Sequence, residues 1–373
     1  MLAVCQKGNR ERQIAANSLE ELALLADSAG AKIVDKVVQQ LPAPSHDCYV
    51  GRGKLQELLA LKDSKGFNVL ILDDELTPNQ QQNLEKELDI KVIDRAALIL
   101  DIFAKRARTH EGRLQVELAQ HQYLLPRLAG QWSHLERLGG GIGTRGPGES
   151  QLETDRRLIR RKIQRLEEQT EEIRRRRALY RRQREKSGIC VVALVGYTNA
   201  GKSTLLNALC RADVLVDDHL FATLDPTTRR LNLPDNRVVL MSDTVGFIRK
   251  LPPTIINAFR ATLEELSEAS LLLHVVDLSS TDAPEQCQTV EKILGELGLS
   301  EKPRITVLNK IDRLMPDEPT PNGKNSESVL ASLGLAPEES TVVVSALKGW
   351  GLPRLLETIT KAVACANVLG TPD

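Results

Sequence analysis

The 373-residue sequence predicts an α/β protein built in three successive parts. Apolar segments of strand length alternate with helical patterns in residues 1–108 and again in 188–369. This alternation is typical of parallel sheets covered by helices. Residues 109–187 instead carry apolar residues at helical spacing on a strongly charged background. We therefore predict an N-terminal parallel α/β domain (1–108), a long helical hairpin arm (109–187), a C-terminal α/β domain (188–369) and a tail (370–373).

The bulk composition favours an intracellular protein. The six cysteines are scattered, with no C-x-x-C pair, which fits free thiols in a reducing cytoplasm better than disulfides or zinc ligands. No apolar run approaches the roughly 18 residues of a membrane span, and the N-terminus is too short and polar for a signal peptide. We expect a cytoplasmic monomer without integral membrane association.

The charges are unevenly distributed although the formal net charge is zero. Basic minus acidic residues amount to −1 in 1–108, +7 in 109–187 and −6 in 188–373. A basic segment between neutral and acidic parts indicates one element that faces a polyanion.

The N-terminal domain is predicted from short alternating segments. We expect a helix that opens at Ser18 through a capping box, strands at 32–38, 68–72 and 91–94, and helices from Gly53 and after Thr77. The segment 51–54, Gly-Arg-Gly-Lys, opens the second of these helices and could contact a phosphate, although a plain glycine-rich helix start is the favoured interpretation.

The arm is predicted from an apolar stripe. Leu114, Leu118, His121 and Leu125 lie at helical spacing, and Leu152, Ile159, Leu166, Ile173 and Tyr180 recur every seven residues, with Ile163 between them. The pattern predicts two helices packed antiparallel. The second helix carries 14 Lys or Arg against 5 Glu in 156–186, so we expect RNA contact rather than a purely structural face. The predicted RNA-binding residues are Arg145, Arg156, Arg157, Arg160, Arg161, Arg174, Arg175, Arg176 and Arg177.

Residues 139–148, GGGIGTRGPG, contain a formal G-x-G-x-x-G. A dinucleotide fingerprint must follow a strand inside a βαβ unit, whereas this stretch follows a helical pattern. We interpret it as the tip of the arm, which would order on a large irregular surface such as ribosomal RNA.

A phosphate site is predicted at residues 196–203, which fit G-x-x-x-x-G-K-[ST]. The motif follows the apolar segment 189–195 and opens a helical pattern, as its chemistry requires, because N–H groups at a helix N-terminus face the bound anion. Lys202 would reach the β- and γ-phosphates, and the Ser203 hydroxyl would bind Mg²⁺. The predicted binding residues here are Gly196, Tyr197, Thr198, Asn199, Ala200, Gly201, Lys202, Ser203 and Thr204.

Further apolar segments at 238–241, 271–276, 305–308 and 342–344 predict strands, and polar motifs follow three of them. Asp243 would hold Mg²⁺ through water, and the Gly246 N–H would contact the γ-phosphate. The Asp312 carboxylate would accept from the two donors of guanine, which adenine lacks. The predicted residues are Asp243, Thr244, Val245 and Gly246, then Asn309, Lys310, Ile311 and Asp312, and finally Ser345, Ala346 and Leu347.

A switch loop is predicted between the phosphate helix and the next strand, where a threonine binds Mg²⁺ and the γ-phosphate. Its residues are Phe221, Ala222, Thr223, Leu224 and Asp225. Thr223 is the predicted ligand, and Thr227 and Thr228 are the alternatives. The predicted metal ligands are thus Ser203, Thr223 and, through water, Asp243, and the catalytic residues are Lys202, Thr223 and Gly246. Phe247 follows Gly246 where many GTPases have a water-orienting glutamine, so we predict slow intrinsic hydrolysis that a partner accelerates.

These segments together resemble the HflX family of translation-factor-class GTPases. The resemblance rests on GYTNAGKS, FATLDPT, DTVGF and LPPTIINAFRATLEE with LLLHVVD, and outside the third part on YVGRGKLQEL and GGGIGTRGPGESQLETDRR. It implies a P-loop GTPase domain, GTP and GDP as ligands, Mg²⁺ as cofactor, and binding to the large (50S) ribosomal subunit and its rRNA. It also implies splitting or recycling of stalled or idle ribosomes, or a role in biogenesis, notably under stress. Relative to some members, we expect no longer leader and no additional C-terminal subdomain.

One alternative remains open from the residues themselves. A GTP-dependent signalling switch could bind a protein partner through a coiled-coil arm, with the arginines as its solvated face. Salt dependence separates the two, because binding through several Arg–phosphate contacts weakens steeply with salt.

Overall fold

The computed structural model describes residues 2–6, 12–41, 43–128, 147–186, 189–210, 220–221, 224–225, 227–252, 255, 266–315 and 340–369. Side chains are described in these ranges except at 2–6, 12–14, 147–152, 180–186 and 365–369. The chain divides into two compact units, Met1–Ile173 with Pro252–Ala258, and Arg174–Leu251 with Phe259–Asp373.

The first unit contains a four-stranded sheet and the helices between and after its strands. Its strands are β1 (Leu2–Gln6), β2 (Lys36–Gln40), β3 (Val69–Leu72) and β4 (Lys91–Asp94), in the order β2-β1-β3-β4, and every pairing is parallel. Its helices are α1 (Arg12–Ser28), α2 (Arg52–Lys65), α3 (Pro78–Leu88), α4 (Arg95–Arg106) and α5 (His110–Leu124). The parallel α/β prediction for this part is confirmed.

Three boundaries in this unit depart from the sequence prediction. The first helix begins at Arg12, so Ser18 lies inside it rather than at its start. The Ser18 hydroxyl is buried and donates to Asp73 Oδ2 at 2.6 Å, so its partner is a carboxylate after β3 and not the backbone of its own helix. Strand β2 begins at Lys36, later than predicted, and β3 begins at Val69.

A long helix, α6 (Pro147–Lys186), carries the apolar stripe. Leu166 is buried against Leu114 and Leu118 of α5, with Ile163 and Ile173 at the margin of the same cluster. The helix prediction and this part of the stripe are confirmed. The side chains of Leu152 and Tyr180, and the glycine-rich stretch through residue 146, lie outside the described residues.

The second unit contains a six-stranded sheet in the order β10-β9-β8-β5-β7-β6. The strands are β5 (Val191–Gly196), β6 (Thr227–Asn232), β7 (Val238–Asp243), β8 (Leu271–Asp277), β9 (Arg304–Asn309) and β10 (Thr341–Val343). The helices are α7 (Lys202–Cys210) after β5, α8 (Ala283–Glu296) after β8 and α9 (Leu352–Leu369) after β10. All pairings are parallel except β6 with β7.

The strand order determines where the polar motifs meet. Strand β5 lies between β7 and β8, and β8 pairs with β9. The carboxyl ends of parallel strands lie at one edge of a sheet, where ligands bind in open α/β folds. Gly196, Asp243, Asp277 and Asn309 each end a strand, so the fold brings the motifs they begin to the same edge.

Candidate nucleotide site

The phosphate loop runs from the end of β5 to the start of α7. Gly196 has φ +151°, and a Cβ there would lie 2.3 Å from Val275 O. Gly201 has φ +91°, and a Cβ there would lie 2.3 Å from Asn309 Nδ2. Both positions therefore require glycine, because a side chain would meet a neighbouring element directly.

Lys202 is buried at the start of α7. Its ammonium donates to the carbonyl oxygens of Gly196 (3.3 Å) and Tyr197 (2.9 Å). Burial lowers the pKa of Lys202 to about 8, nearby Asp243 opposes that shift, and Lys310 adds to it. A buried ammonium in this position is suited to an anionic ligand, because a nearby phosphate would favour its charged form.

A hydroxyl–carboxylate pair joins α7 to the end of β7. Ser203 Oγ donates to Asp243 Oδ2 at 2.6 Å, and Asp243 is fully buried. Oxygen donors of these two kinds are those that Mg²⁺ prefers. The described ranges contain no group of three or more His, Cys, Asp or Glu side chains that could hold a metal by themselves. The pair therefore fits a magnesium ion whose other ligands come from phosphate and water.

Two residues after β9 are hydrogen-bonded to the phosphate loop. Asn309 Nδ2 donates to Ala200 O at 2.9 Å, and Lys310 Nζ donates to Asn199 O at 2.6 Å. Lys310 adopts φ +65°, so this connection is held in a strained backbone conformation. The segment predicted to bind the base is thus fixed directly to the segment predicted to bind the phosphates.

The loop after β10 forms the second part of the region that is predicted to bind the guanine base. Asn309 Oδ1 accepts from Ala346 N at 3.0 Å, and Ser345 Oγ donates to Asp312 Oδ1 at 2.5 Å. The Leu347 side chain is 75% exposed, a position from which it can cover a ligand. Ile311 is buried beneath the turn, so it supports the loop from the core side.

The structure describes part of the predicted switch loop. Phe221 and Leu224 are buried, whereas Ala222 and Thr223 lie outside the described residues. The two alternatives to Thr223 are residues of β6, where Thr227 pairs with Asp243 and Thr228 with Ser242 in the antiparallel register. Three other predicted residues lie near the phosphate loop. Thr204 is in the first turn of α7, and Val245 is buried. Thr244 Oγ1 donates to Leu194 O at 2.6 Å.

The remaining predictions fall in the other segments. Most of the predicted RNA-binding arginines lie on α6 and are exposed. Those on the helix are Arg156, Arg157, Arg160, Arg161, Arg174, Arg175, Arg176 and Arg177. Arg145 lies outside the described residues. At the start of α2, Gly51 N donates to Gln39 Oε1 and Lys54 pairs with Glu57 at 2.7 Å, contacts that suit a helix start.

Sequence reasoning missed three residues next to this site. Asp277 ends β8 and pairs with Lys310 Nζ at 2.7 Å. Arg249 N donates to the Tyr197 hydroxyl at 2.9 Å, and its guanidinium lies 3.2 Å from Asp282. Asp277 is the last residue of LLLHVVD, a segment that carries the family resemblance but predicts no role for this residue, and Arg249 and Asp282 belong to no motif.

Comparison with known families decides the identity. Three family models match the chain in succession: "GTP-binding GTPase N-terminal" over residues 16–104, "GTP-binding GTPase Middle Region" over 106–184 and "50S ribosome-binding GTPase" over 191–310. GTPase HflX of Caldanaerobacter subterraneus subsp. tengcongensis is 52% identical over 344 residues, which is 92% of this chain and 76% of that protein. The chain belongs to the HflX family of GTPases.

Other HflX relatives agree with this placement. GTPase HflX of Escherichia coli K12 is 44% identical over 346 residues, covering 93% of this chain and 79% of that protein. Among solved structures, the GDP complex of a GTP-binding protein from Sulfolobus solfataricus is 27% identical, with a TM-score of 0.47 over 97% of this chain and 98% of that one. The family models and the HflX relatives together show that the protein is a P-loop GTPase with a domain of the ribosome-binding class. Within the described residues, no helix is long and apolar enough to cross a membrane.

Proposed function

We propose that this HflX-family protein binds GTP at the edge of the six-stranded sheet and acts on the large ribosomal subunit. The observation that carries the proposal is the Ser203–Asp243 pair beside buried Lys202, on a phosphate loop to which Asn309 and Lys310 are hydrogen-bonded. These contacts support a site in which phosphates and base are held by one connected framework.

The roles of the residues follow from their chemistry. The phosphates lie along 196–204, and Lys202 reaches the β- and γ-phosphates. Asp312 and the backbone of 345–347 read guanine through donors that adenine lacks. Ser203 and Thr223, with Asp243 through water, hold Mg²⁺, which when bound offsets phosphate charge. The Gly246 N–H senses the γ-phosphate.

The hydrolysis step lacks one usual group. Phe247 carries no polar atom in its side chain, is buried, and its N–H donates to Gly196 O at 3.0 Å. Because it cannot orient the attacking water, we expect slow turnover in the isolated protein and faster turnover when a partner orders the switch segments.

The partner proposed is the large ribosomal subunit. The arginines on α6 support it, since exposed guanidinium groups along one helix suit rRNA phosphates. GTP favours the state of the protein that is bound to the large subunit, and GTP hydrolysis drives its release from the subunit. In this cycle the protein would split or recycle stalled or idle ribosomes, or act in their biogenesis. A ribosomal partner implies a cytoplasmic protein, and the scattered cysteines of the sequence fit a reducing cytoplasm.

Co-sedimentation with purified large subunits tests the proposal. We expect the protein in the subunit fraction with a non-hydrolysable GTP analogue and much less of it there with GDP. GTP hydrolysis in the same preparation should rise when subunits are added. Lys202→Ala is the nucleotide-binding control. Absence from the subunit fraction in both nucleotide states contradicts the proposal.

A further inference from the structure

The segment after β7 is joined to the phosphate loop by backbone hydrogen bonds. Phe247 N donates to Gly196 O at 3.0 Å, and Thr198 N donates to Phe247 O at 2.8 Å. Tyr197 and Phe247 thus form a short parallel bridge. Segments paired in this way move together, because both main-chain groups of Phe247 are used by the phosphate loop.

This bridge fixes the position of Gly246. A Cβ on Gly246 would lie 2.8 Å from Thr198 Cα and 2.9 Å from Lys202 Nζ. Gly246 therefore packs directly against the phosphate loop and next to the lysine, and no larger residue fits. Its N–H is the group that we assign to the γ-phosphate.

Side chains hold the far end of the same segment. Arg249 N donates to the Tyr197 hydroxyl at 2.9 Å, and Tyr197 is buried. Arg249 Nη2 donates to Asp282 Oδ2 at 3.2 Å, and both side chains are largely buried. Asp282 immediately precedes α8. Arg249 is thus tied through its backbone to the phosphate loop and through its side chain to the start of α8.

We propose that Tyr197, Arg249 and Asp282 form a switch clamp that positions Gly246 and so sets the preference for GTP over GDP. The proposal rests on the nucleotide site proposed above. The three are positioning residues: they act through the backbone of 246–249.

The clamp matters because the two residues that follow Gly246 offer the γ-phosphate no polar side chain. Phe247 and Ile248 are both buried, at 2% and 0% exposure. Within this segment, contact with the third phosphate then depends on the Gly246 N–H, whose direction is determined by the bridge on one side and the clamp on the other. GDP lacks the γ-phosphate, so its binding should be largely independent of the clamp.

The test uses two conservative variants, Tyr197→Phe, which removes one hydroxyl, and Asp282→Asn, which removes one charge. Dissociation constants are measured for GDP and for a non-hydrolysable GTP analogue, both with Mg²⁺. We expect each variant to weaken binding of the analogue about five- to tenfold, equivalent to about 1–1.4 kcal/mol. Binding of GDP should weaken by a clearly smaller factor, because the Tyr197 hydroxyl and the Asp282 carboxylate both contact Arg249. The double variant should lose less than the product of the two single losses, because both act on Arg249.

Asp235→Asn is the matched control, because Asp235 forms an exposed ion pair with Arg237 in the same unit. Its affinities for GDP and for the analogue should stay at the wild-type values. Equal losses for GDP and the analogue would show a general structural role and overturn the clamp, as would unchanged affinities in both variants. A different result would contradict the nucleotide site itself. If Lys202→Ala bound both GDP and the analogue as tightly as the wild type, the phosphates would not lie at this loop.

Discussion

The ammonium group of Lys310 is fixed by two partners. It donates to Asn199 O at 2.6 Å and pairs with Asp277 Oδ2 at 2.7 Å. Both side chains of the ion pair are 14% exposed, so solvent screens it less than a surface pair. The other oxygen of Asp277 accepts from the N–H and hydroxyl of Ser279. Asp277 therefore holds the lysine against the phosphate loop.

We predict that Asp277→Asn speeds release of bound GDP about tenfold, because the variant removes one charge-assisted hydrogen bond of about 1.5 kcal/mol. Asparagine can still accept from Ser279, so the local turn is retained. Fluorescent GDP release in a stopped-flow instrument measures the rate. Glu291→Gln is the control, since Glu291 pairs with Arg304. A wild-type release rate in Asp277→Asn contradicts the role.

His274 lies in the middle of β8 and is buried. Burial lowers the pKa of His274 to about 4, with Arg304 and Lys202 contributing to the shift and Glu291 opposing it. The folded state therefore disfavours the protonated ring, whereas the unfolded chain takes up a proton near the ordinary value of about 6.5. This residue's contribution to stability is complete above pH 6.5 and is lost as the pH falls towards 4.

We predict that His274→Gln flattens the decline in the free energy of unfolding between pH 6.5 and 4.5. The wild-type term reaches about 3 kcal/mol at the acid end, from 1.36 kcal/mol per pKa unit. Urea unfolding at a series of pH values measures this free energy. The unfolding transition to follow is the one that added GDP shifts to higher urea, because it reports on the unit that contains His274. The exposed His110→Gln should follow the wild-type profile, and an unchanged slope in His274→Gln would refute the assignment.

Among the elements, α6 combines a packed face with a basic one. Leu166 is 1% exposed against α5, while Leu158 and Leu179 are more than half exposed. The arginines 174–177 follow the packed part of the helix, and three of the four are exposed. The helix can therefore be anchored through one stripe and still present guanidinium groups to a polyanion.

We predict that Arg174→Gln with Arg175→Gln makes the salt dependence of large-subunit binding shallower. Loss of two phosphate contacts should reduce the slope of log affinity against log salt by about 2. Glutamine keeps the helix propensity. The exposed pair Arg229 and Arg230 on β6, changed in the same way, is the control. Sedimentation at about 50 to 200 mM salt gives the slope, and equal slopes in both double variants contradict the RNA face.

Some elements followed directly from the sequence and others did not. The strand at Lys91–Asp94 and the helix from Pro78 matched, because a short apolar run and the Thr77 capping box are local signals. Strand β6, TTRRLN, was missed because it is a polar edge strand that is held by pairing with β7. Ser18 was mistaken for a cap, since its true partner, Asp73, is 55 residues away.

At the scale of the whole molecule, the sequence by itself determined that two α/β segments flank a basic helical segment and that 196–203 forms a phosphate loop. These conclusions depend on composition, periodicity and a spacing that the chemistry requires within eight residues. The three matching family models lie in the same order along the chain.

The tertiary structure alone decided how the motifs are connected. The central position of β5 between β7 and β8 brings Asp243, Asp277 and Asn309 to one edge, and no local pattern specifies strand order. The partners of Lys310, Tyr197 and Arg249 are likewise distant in sequence, so only the folded chain shows them. A motif can be recognised from consecutive residues, because its chemistry is local. The contacts that position the motif form only when strands that are far apart in the chain pack side by side.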